Sequence, residues 1–287
     1  MDCKTLLFFT LFISGAIFAQ SETSDSAMVI QNQGTTLIGT SVKQQKDSLS
    51  EKKQNQIGIM HLQSVYDSGL STMSITSVQY LRRINNENVT VIGRVNIRAR
   101  AKTSSTKYDL EAYIKHGKKH YSFVGASVSD QKMFPGFEAS YSFYSALKKG
   151  WELETGVKYL SAENFSLFTP VIGAAKEFGN NLVTFRNFFT FTQNEFYYAN
   201  ILSWKNFFNE KRDYFSLMTG FGNAPDSKNI DFSEGFISNE SFFVGLGYEK
   251  NLKPFKLSAS SVYNRNNYSI GRKFNQFDFY LNLFYDF

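Results

Sequence analysis

From Ile57 to Phe287 the chain alternates polar with apolar side chains in runs of 10 to 15 residues, broken by clusters of Gly, Asn, Asp and Lys. Alternation with a period of two marks strands whose faces meet different surroundings, and the clusters mark the turns between them. Fourteen runs are legible, centred near residues 61, 76, 95, 110, 124, 141, 156, 173, 186, 201, 217, 244, 259 and 280. The even count predicts an all-β, antiparallel up-and-down barrel with both ends on one side. The first two runs are the weakest, and without them the count falls to twelve. Every second connection is short and often basic, as in "HGKKH", "KKG", "FGNN", "NEKRD" and "KNLKP". The alternate ones include the longest, "SDQKMFPG", "NAPDSKNIDFSEGF" and "NRNNYSIGRK". Pro170 lies inside the eighth run and removes a ladder hydrogen bond, which predicts a place near a rim or bulge.

The charged residues tell the two faces apart. In the third run Val89, Val91, Val95, Ile97 and Ala99 oppose Arg94, Asn96, Arg98 and Arg100. In the fourth, Tyr108, Leu110, Ala112 and Ile114 oppose Lys107, Asp109, Glu111 and Lys115; in the seventh, Trp151, Leu153, Val157 and Tyr159 oppose Glu152, Glu154 and Lys158. About eight strands enclose a space that side chains can fill, whereas fourteen would leave an apolar void if the oily row pointed inward. The apolar row is therefore expected to face lipid. The charged row is expected to line a hydrated lumen, with Arg94, Arg98, Arg100, Glu111, Glu152, Glu154, Lys158 and Arg186 as its lining residues. Tyr108, Tyr121, Trp151, Tyr159, Tyr197, Trp204, Tyr214, Tyr248, Tyr263 and Phe287 are expected as girdles at the two interfaces. Phe279, Leu281, Leu283, Tyr285 and Phe287 give the last strand one oily row ending on an aromatic, the pattern read by the bacterial barrel-assembly machinery. Short turns then lie on the periplasmic rim and long loops outside, in the outer membrane of a Gram-negative bacterium.

Residues 1–19 read as a cleavable secretory signal, with Lys4, an apolar run from Leu6 to Ile13, and Ala19 before Gln20. Residues 20–54 are polar and free of aromatics, which predicts a flexible periplasmic extension ahead of a barrel over 55–287. Cys3, the sole cysteine, falls in the signal, so no disulfide or thiolate metal site is expected in the exported chain. The formal charge of +6 is accounted for by solvated basic turns, including Lys118, Lys119, Lys148, Lys149, Lys211 and Arg212.

Several strings carry a family resemblance: "IGRVNIRARA", "YDLEAYIK", "MFPGFEASYSFYSAL", "WELETGVKYL", "RDYFSLMTGFGNAPD" and the aromatic last strand. In order and spacing they resemble the YaiO-like outer-membrane β-barrel family over about residues 57–287. The matching positions are Gly93, Arg94, Asn96, Ala112, Tyr113, Phe134, Pro135, Glu154, Gly156, Tyr159, Leu160, Arg186, Asp213, Tyr214, Pro225 and Asp226. The chain departs from the family where Glu111 and Ile114 flank Ala112 and Tyr113 in place of an Asp-Ala-Tyr-Pro string, and where Lys158 and Lys205 stand for arginines. Charge is kept there while bidentate geometry is lost. The resemblance implies location and architecture, and a role in polysaccharide export or surface modification.

The chemistry expected of the chain is non-enzymatic. His116 and His120 flank a turn rather than sharing a helix face, and His61 has no acidic partner nearby in sequence, so neither a metal site nor a cofactor site is expected. The reading is a channel or export component for saccharide-like or small polar solutes. A lipid- or glycan-modifying enzyme and a closed structural or surface-anchoring barrel are the alternatives. The expected partners are outer-membrane lipids, the barrel-assembly machinery, and a polysaccharide or its export partners; export excludes nucleic acid.

Overall fold

The computed structural model describes residues 54–287 except 68, 85–87, 164, 193–194, 210–211, 223–238 and 269–272. The expectations for the signal, for the extension up to residue 53, for Lys211 and for Pro225 and Asp226 lie outside the described residues. Fourteen strands form one closed antiparallel barrel. They are β1 (Asn55–Tyr66), β2 (Met73–Ile84), β3 (Val89–Arg100), β4 (Thr103–Lys115), β5 (His120–Ser129), β6 (Phe137–Ala146) and β7 (Trp151–Ala162). The second half comprises β8 (Phe165–Phe178), β9 (Asn181–Phe191), β10 (Phe196–Phe208), β11 (Asp213–Gly222), β12 (Asn239–Leu252), β13 (Phe255–Tyr268) and β14 (Lys273–Asp286). Each strand pairs with its sequence neighbours, and β1 closes the ring on β14, in register from Gln56 opposite Asp286 to Tyr66 opposite Gln276. Asn55 and Phe287 exchange backbone hydrogen bonds of 3.0 and 2.9 Å on one rim. All fourteen predicted runs are strands, the first two included.

The outer surface is a continuous apolar band. Ile57, Ile59, Val78, Val95, Ile97, Leu110, Ile172, Leu202, Leu217 and Leu246 are all exposed, each on the row expected to meet lipid. Phe279, Leu281, Leu283, Tyr285 and Phe287 form that row on β14. The backbone needs no other donors there, because closure leaves no sheet edge.

The interior departs from a simple hydrated lumen. Met60, Leu62, Ile75, Val171, Phe188, Ala199, Ile201, Met218, Phe243, Val262, Tyr280 and Phe284 make one buried apolar cluster on the inward rows of β8 through β14, β1 and β2. Met60, Phe188 and Phe243 have 0% of their surface exposed, so part of the space expected to be a hydrated lumen is filled by large side chains. Phe284 lies so close over Gly58 that a Cβ there would sit 2.3 Å from its ring, which is how a wide wall brings aromatic rings flat against the backbone. Three girdle assignments change with this. Tyr197 and Tyr214 are buried in the interior, and Tyr121 packs inward against Leu81, Ile92 and Tyr113. Their parity places them inside; aromatic residues on these strands occupy both rows. Pro170 sits well within β8 rather than at a rim, and the β8–β9 pairing between Phe168 and Val171 is interrupted around it.

Candidate functional site in the barrel lumen

Charge collects on the inward rows of β3 to β7 and on β9. Arg94 uses its whole guanidinium: Nε and Nη2 donate to Gln79 Oε1 at 3.2 and 3.0 Å, and Nη1 reaches Asp109 at 3.4 Å and Glu111 Oε1 at 3.1 Å. Asn96 donates to Asp109 at 2.6 Å, and Lys107 lies 3.6 Å from Asp109 and 3.4 Å from Glu138. These groups are neighbours because residues facing each other across adjacent strands share a row.

A second network centres on Glu154. Arg186 grips it with two bonds of 2.7 Å, from Nε and from Nη2, while the Ser142 and Tyr144 hydroxyls each donate at 2.9 Å. Glu154 and Arg186 sit on β7 and β9, one strand apart, so β8 has to leave room between them. It does so with Gly173, whose added Cβ would lie 2.8 Å from the Glu154 carboxylate and 3.2 Å from the Arg186 side chain. Beside it Tyr121 and Tyr144 stack with ring centroids 4.4 Å apart, and the Tyr121 hydroxyl donates to Glu152 at 3.0 Å.

The loop between β5 and β6 folds into the mouth opposite the chain ends. Phe134 is only 3% exposed and joins the apolar cluster of the interior. Arg98 donates to the Met133 carbonyl at 2.5 Å, and Arg98 and Lys107 lie 5.6 and 5.3 Å from the Phe134 ring centroid. Ser105 accepts from the Met133 N–H at 3.2 Å and donates to Asp130, and Ser129 donates to the Pro135 carbonyl at 2.8 Å. Desolvation works against the Asp130 charge, but hydrogen bonds from Ser105 and from the backbone outweigh it and hold the carboxyl below its usual range. This tie persists at neutral pH and is lost only as the pH falls through that lowered value.

The structure thus places Arg94, Arg98, Glu111 and Glu154 buried in the interior and Arg100, Glu152, Lys158 and Arg186 half-buried there. It brings Arg94 to Glu111 and Glu154 to Arg186; Arg100 stands apart, over the Tyr66 ring at 5.1 Å. Lys158 and Arg186 both lie 5.2 Å from the Phe188 ring centroid. Sequence reasoning missed a buried polar seam in which Ser64, Asn264 and Gln276 all donate to Asp278. It also missed Glu249 and the place of Lys205, named there only as standing for an arginine; both are buried inward beside Tyr214. The signal for the seam was the inward row of Asn264 and Asn266 on β13 and of Gln276, Asp278 and Asn282 on β14, whereas Lys205 and Glu249 stand as single charges in their inward rows.

Outside the barrel, His61 on β1 lies 3.0 Å from Thr76 Oγ1 on the lipid-facing side. His116 Nε2 lies 2.8 Å from Ser122 Oγ, which is itself 3.2 Å from the Tyr141 hydroxyl. Among the described residues no three His, Cys, Asp or Glu side chains gather as a metal ion would require, and no helix is long and apolar enough to cross a membrane.

A closed antiparallel barrel with an apolar exterior, a polar and packed interior and both ends on one rim defines an outer-membrane β-barrel protein. The YaiO membrane beta barrel domain matches residues 54–227, more than half of the chain, and the protein belongs to that family. Its place is the bacterial outer membrane. Among solved structures, a bacterial polysaccharide outer membrane secretin is similar in fold, with a TM-score of 0.54 and 6% identity over 83% of this chain and 100% of that one. The Acinetobacter baumannii outer membrane protein Omp33 has a TM-score of 0.47 and 10% identity, covering 83% of this chain and 100% of its own. The anion-selective porin from Comamonas acidovorans has a TM-score of 0.44 and 8% identity, over 81% and 98%. No curated protein matches the sequence.

Proposed function

We propose that the barrel is a passage for a saccharide-like or small polar solute, shut by the 130–136 loop and non-enzymatic. The observation that carries this reading is the way the loop is held. The ends of the loop keep backbone bonds, from Asp130 N–H to the Thr106 carbonyl and from Ser129 N–H to the Gly136 carbonyl, while its tip at Met133 and Phe134 is tied by the Arg98, Ser105 and Lys107 side chains and can leave without unpairing the strands. The rim bearing Asn55 and Phe287 is then periplasmic and the loop faces outward. The likeness to a polysaccharide secretin is one of fold and adds no weight.

In planar bilayers the wild-type protein is expected to conduct poorly, and Phe134→Ala to raise single-channel conductance by about tenfold, as removal of an apolar constriction does. Arg98→Gln should move conductance in the same direction by freeing the Met133 carbonyl. Folded, inserted Phe134→Ala protein that passes neither ions nor sugars would overturn the reading. The closed structural barrel is favoured instead by the interior burial of Met60, Phe188 and Phe243, and that silent result is the one it requires. The contacts of His116 with Ser122 and of His61 with Thr76 each pair a hydroxyl with a base, and a lipid-modifying activity would draw on one of them. Equal and background turnover of ester lipids by wild-type and Ser122→Ala protein is the expected outcome.

A further inference from the structure

The lumen holds a second feature, independent of the loop, at the end nearer the periplasmic rim. On β4, Glu111 and Tyr113 point inward two residues apart, each more than nine-tenths buried. Glu111 gives one carboxylate oxygen to Arg94, while its Oε2 has no hydrogen-bond partner; the Tyr113 hydroxyl has none either. Leaving such atoms dry costs about 1–3 kcal/mol each, more for a charged group, so a fold that keeps two side by side has reason to meet a ligand there.

The surroundings define the ligand. Leu81, Ile92 and the ring of Tyr113 make an apolar floor, against which Tyr121 and Phe123 pack. The stacked Tyr121 and Tyr144 rings stand beside it, with the Glu152 carboxylate at the rim end of β7. An apolar floor with hydroxyl and carboxylate groups converging on it suits a molecule that has both C–H faces and hydroxyl groups. Charge then narrows the class. The nearby cations are committed, Arg94 to Gln79, Asp109 and Glu111, and Arg186 to Glu154, whereas the unmet oxygen belongs to a carboxylate. An acidic ligand would meet the carboxylates of Glu111 and Glu152, and the cations near Glu111 are already shared, Arg94 with Asp109 and Glu111 and Lys107 with Asp109 and Glu138, whereas a neutral hydroxyl or an amine would donate to Glu111.

We propose that the periplasmic half of the lumen is a binding subsite for a neutral or amino-substituted saccharide, with Glu111 Oε2 and the Tyr113 hydroxyl as its two hydrogen-bonding anchors. The proposal rests on the solute-passage reading for its setting and names the substrate class of that passage: non-acidic sugars entering from the periplasmic side.

The test is direct binding by the full chain in detergent micelles, using a glucose hexamer, a glucosamine hexamer and a galacturonate hexamer as probes, followed by saturation-transfer NMR. The neutral and amino hexamers are expected to bind and the acidic one to bind at least tenfold more weakly. Tyr113→Phe removes a single oxygen and should weaken binding about tenfold; Glu111→Gln should do the same for the amino hexamer and narrow the discrimination against galacturonate. Heat-modifiable gel mobility reports that both variants are folded. Absence of binding by the wild type, equal binding by folded Tyr113→Phe, or preference for galacturonate would each overturn the subsite. Such a failure leaves the passage reading standing if Phe134→Ala still conducts, whereas binding without conductance by that variant would overturn the passage and keep the subsite.

Discussion

Glu154→Ala is expected to destabilise the folded barrel by about 3–5 kcal/mol, the range for breaking a buried ion pair by removing one partner. Arg186 would lose both of its 2.7 Å bonds, and Ser142 and Tyr144 would lose their shared acceptor. The carboxylate is 6% exposed and the guanidinium 11%, so water cannot replace what is removed. Reversible urea unfolding from lipid vesicles measures the change. Replacing both residues together, Glu154→Leu with Arg186→Leu, should cost much less, because two buried charges leave at once. Gly173→Leu, which puts a side chain between the partners, should approach the single Glu154 variant in effect. A Glu154→Ala protein as stable as the wild type would mean that the pair is not buried in the membrane-inserted state.

Val95→Arg is expected to cost about 2–4 kcal/mol in the same assay, while Leu147→Arg costs about 0–1 kcal/mol, because charge on the lipid face is penalised by depth. Val95 lies at the middle of β3 on the exposed apolar row, and Leu147 is also exposed but stands at the rim after β6. The contrast depends only on hydrocarbon covering the barrel at the level of Val95. Equal costs at the two positions would place that band elsewhere.

How much of this was legible in the sequence can be argued strand by strand. On β3, β4 and β7 one row carries Arg, Lys, Asp and Glu, and the charges mark the inward face without ambiguity. The outer face of β14 was equally clear, since Asp278 and Asn282 alternate with Phe279, Leu281 and Leu283. On β9 and β10, in "NLVTFRNFFTF" and "FYYANILSWKNFF", both rows carry aromatics, so alternation could not say which face was wet. The misplacement of Tyr197 arises there, and that of Tyr214 on β11, where Tyr214 and Phe215 put an aromatic on each row. Tyr121 was misplaced for a related reason: a position near a strand end was read as an interface, although its parity puts it beside Tyr113.

The candidate site divides in the same way. Arg94, Glu111, Glu154 and Arg186 could be named as inward residues from their rows alone. The pairing of Glu154 with Arg186 could not, because it skips a strand and depends on Gly173 in the row between them. Nor could the insertion of Phe134, since "SDQKMFPG" has the composition of an ordinary outer loop, and the groups that hold it inward, Arg98, Ser105 and Lys107, reach it from β3 and β4.

By itself the sequence determined the antiparallel order, a count of fourteen strands or twelve, and the lipid-facing row wherever charge marks the other face, because all three follow from local period and turn spacing. Tertiary structure alone decided that large apolar side chains are buried on the inward rows of β8 to β14, β1 and β2, which hydroxyls share a carboxylate, and that Phe134 of the β5–β6 loop is buried among them. Those outcomes depend on which inward rows face one another across a closed wall, and closure sets that geometry through register between residues far apart in the chain.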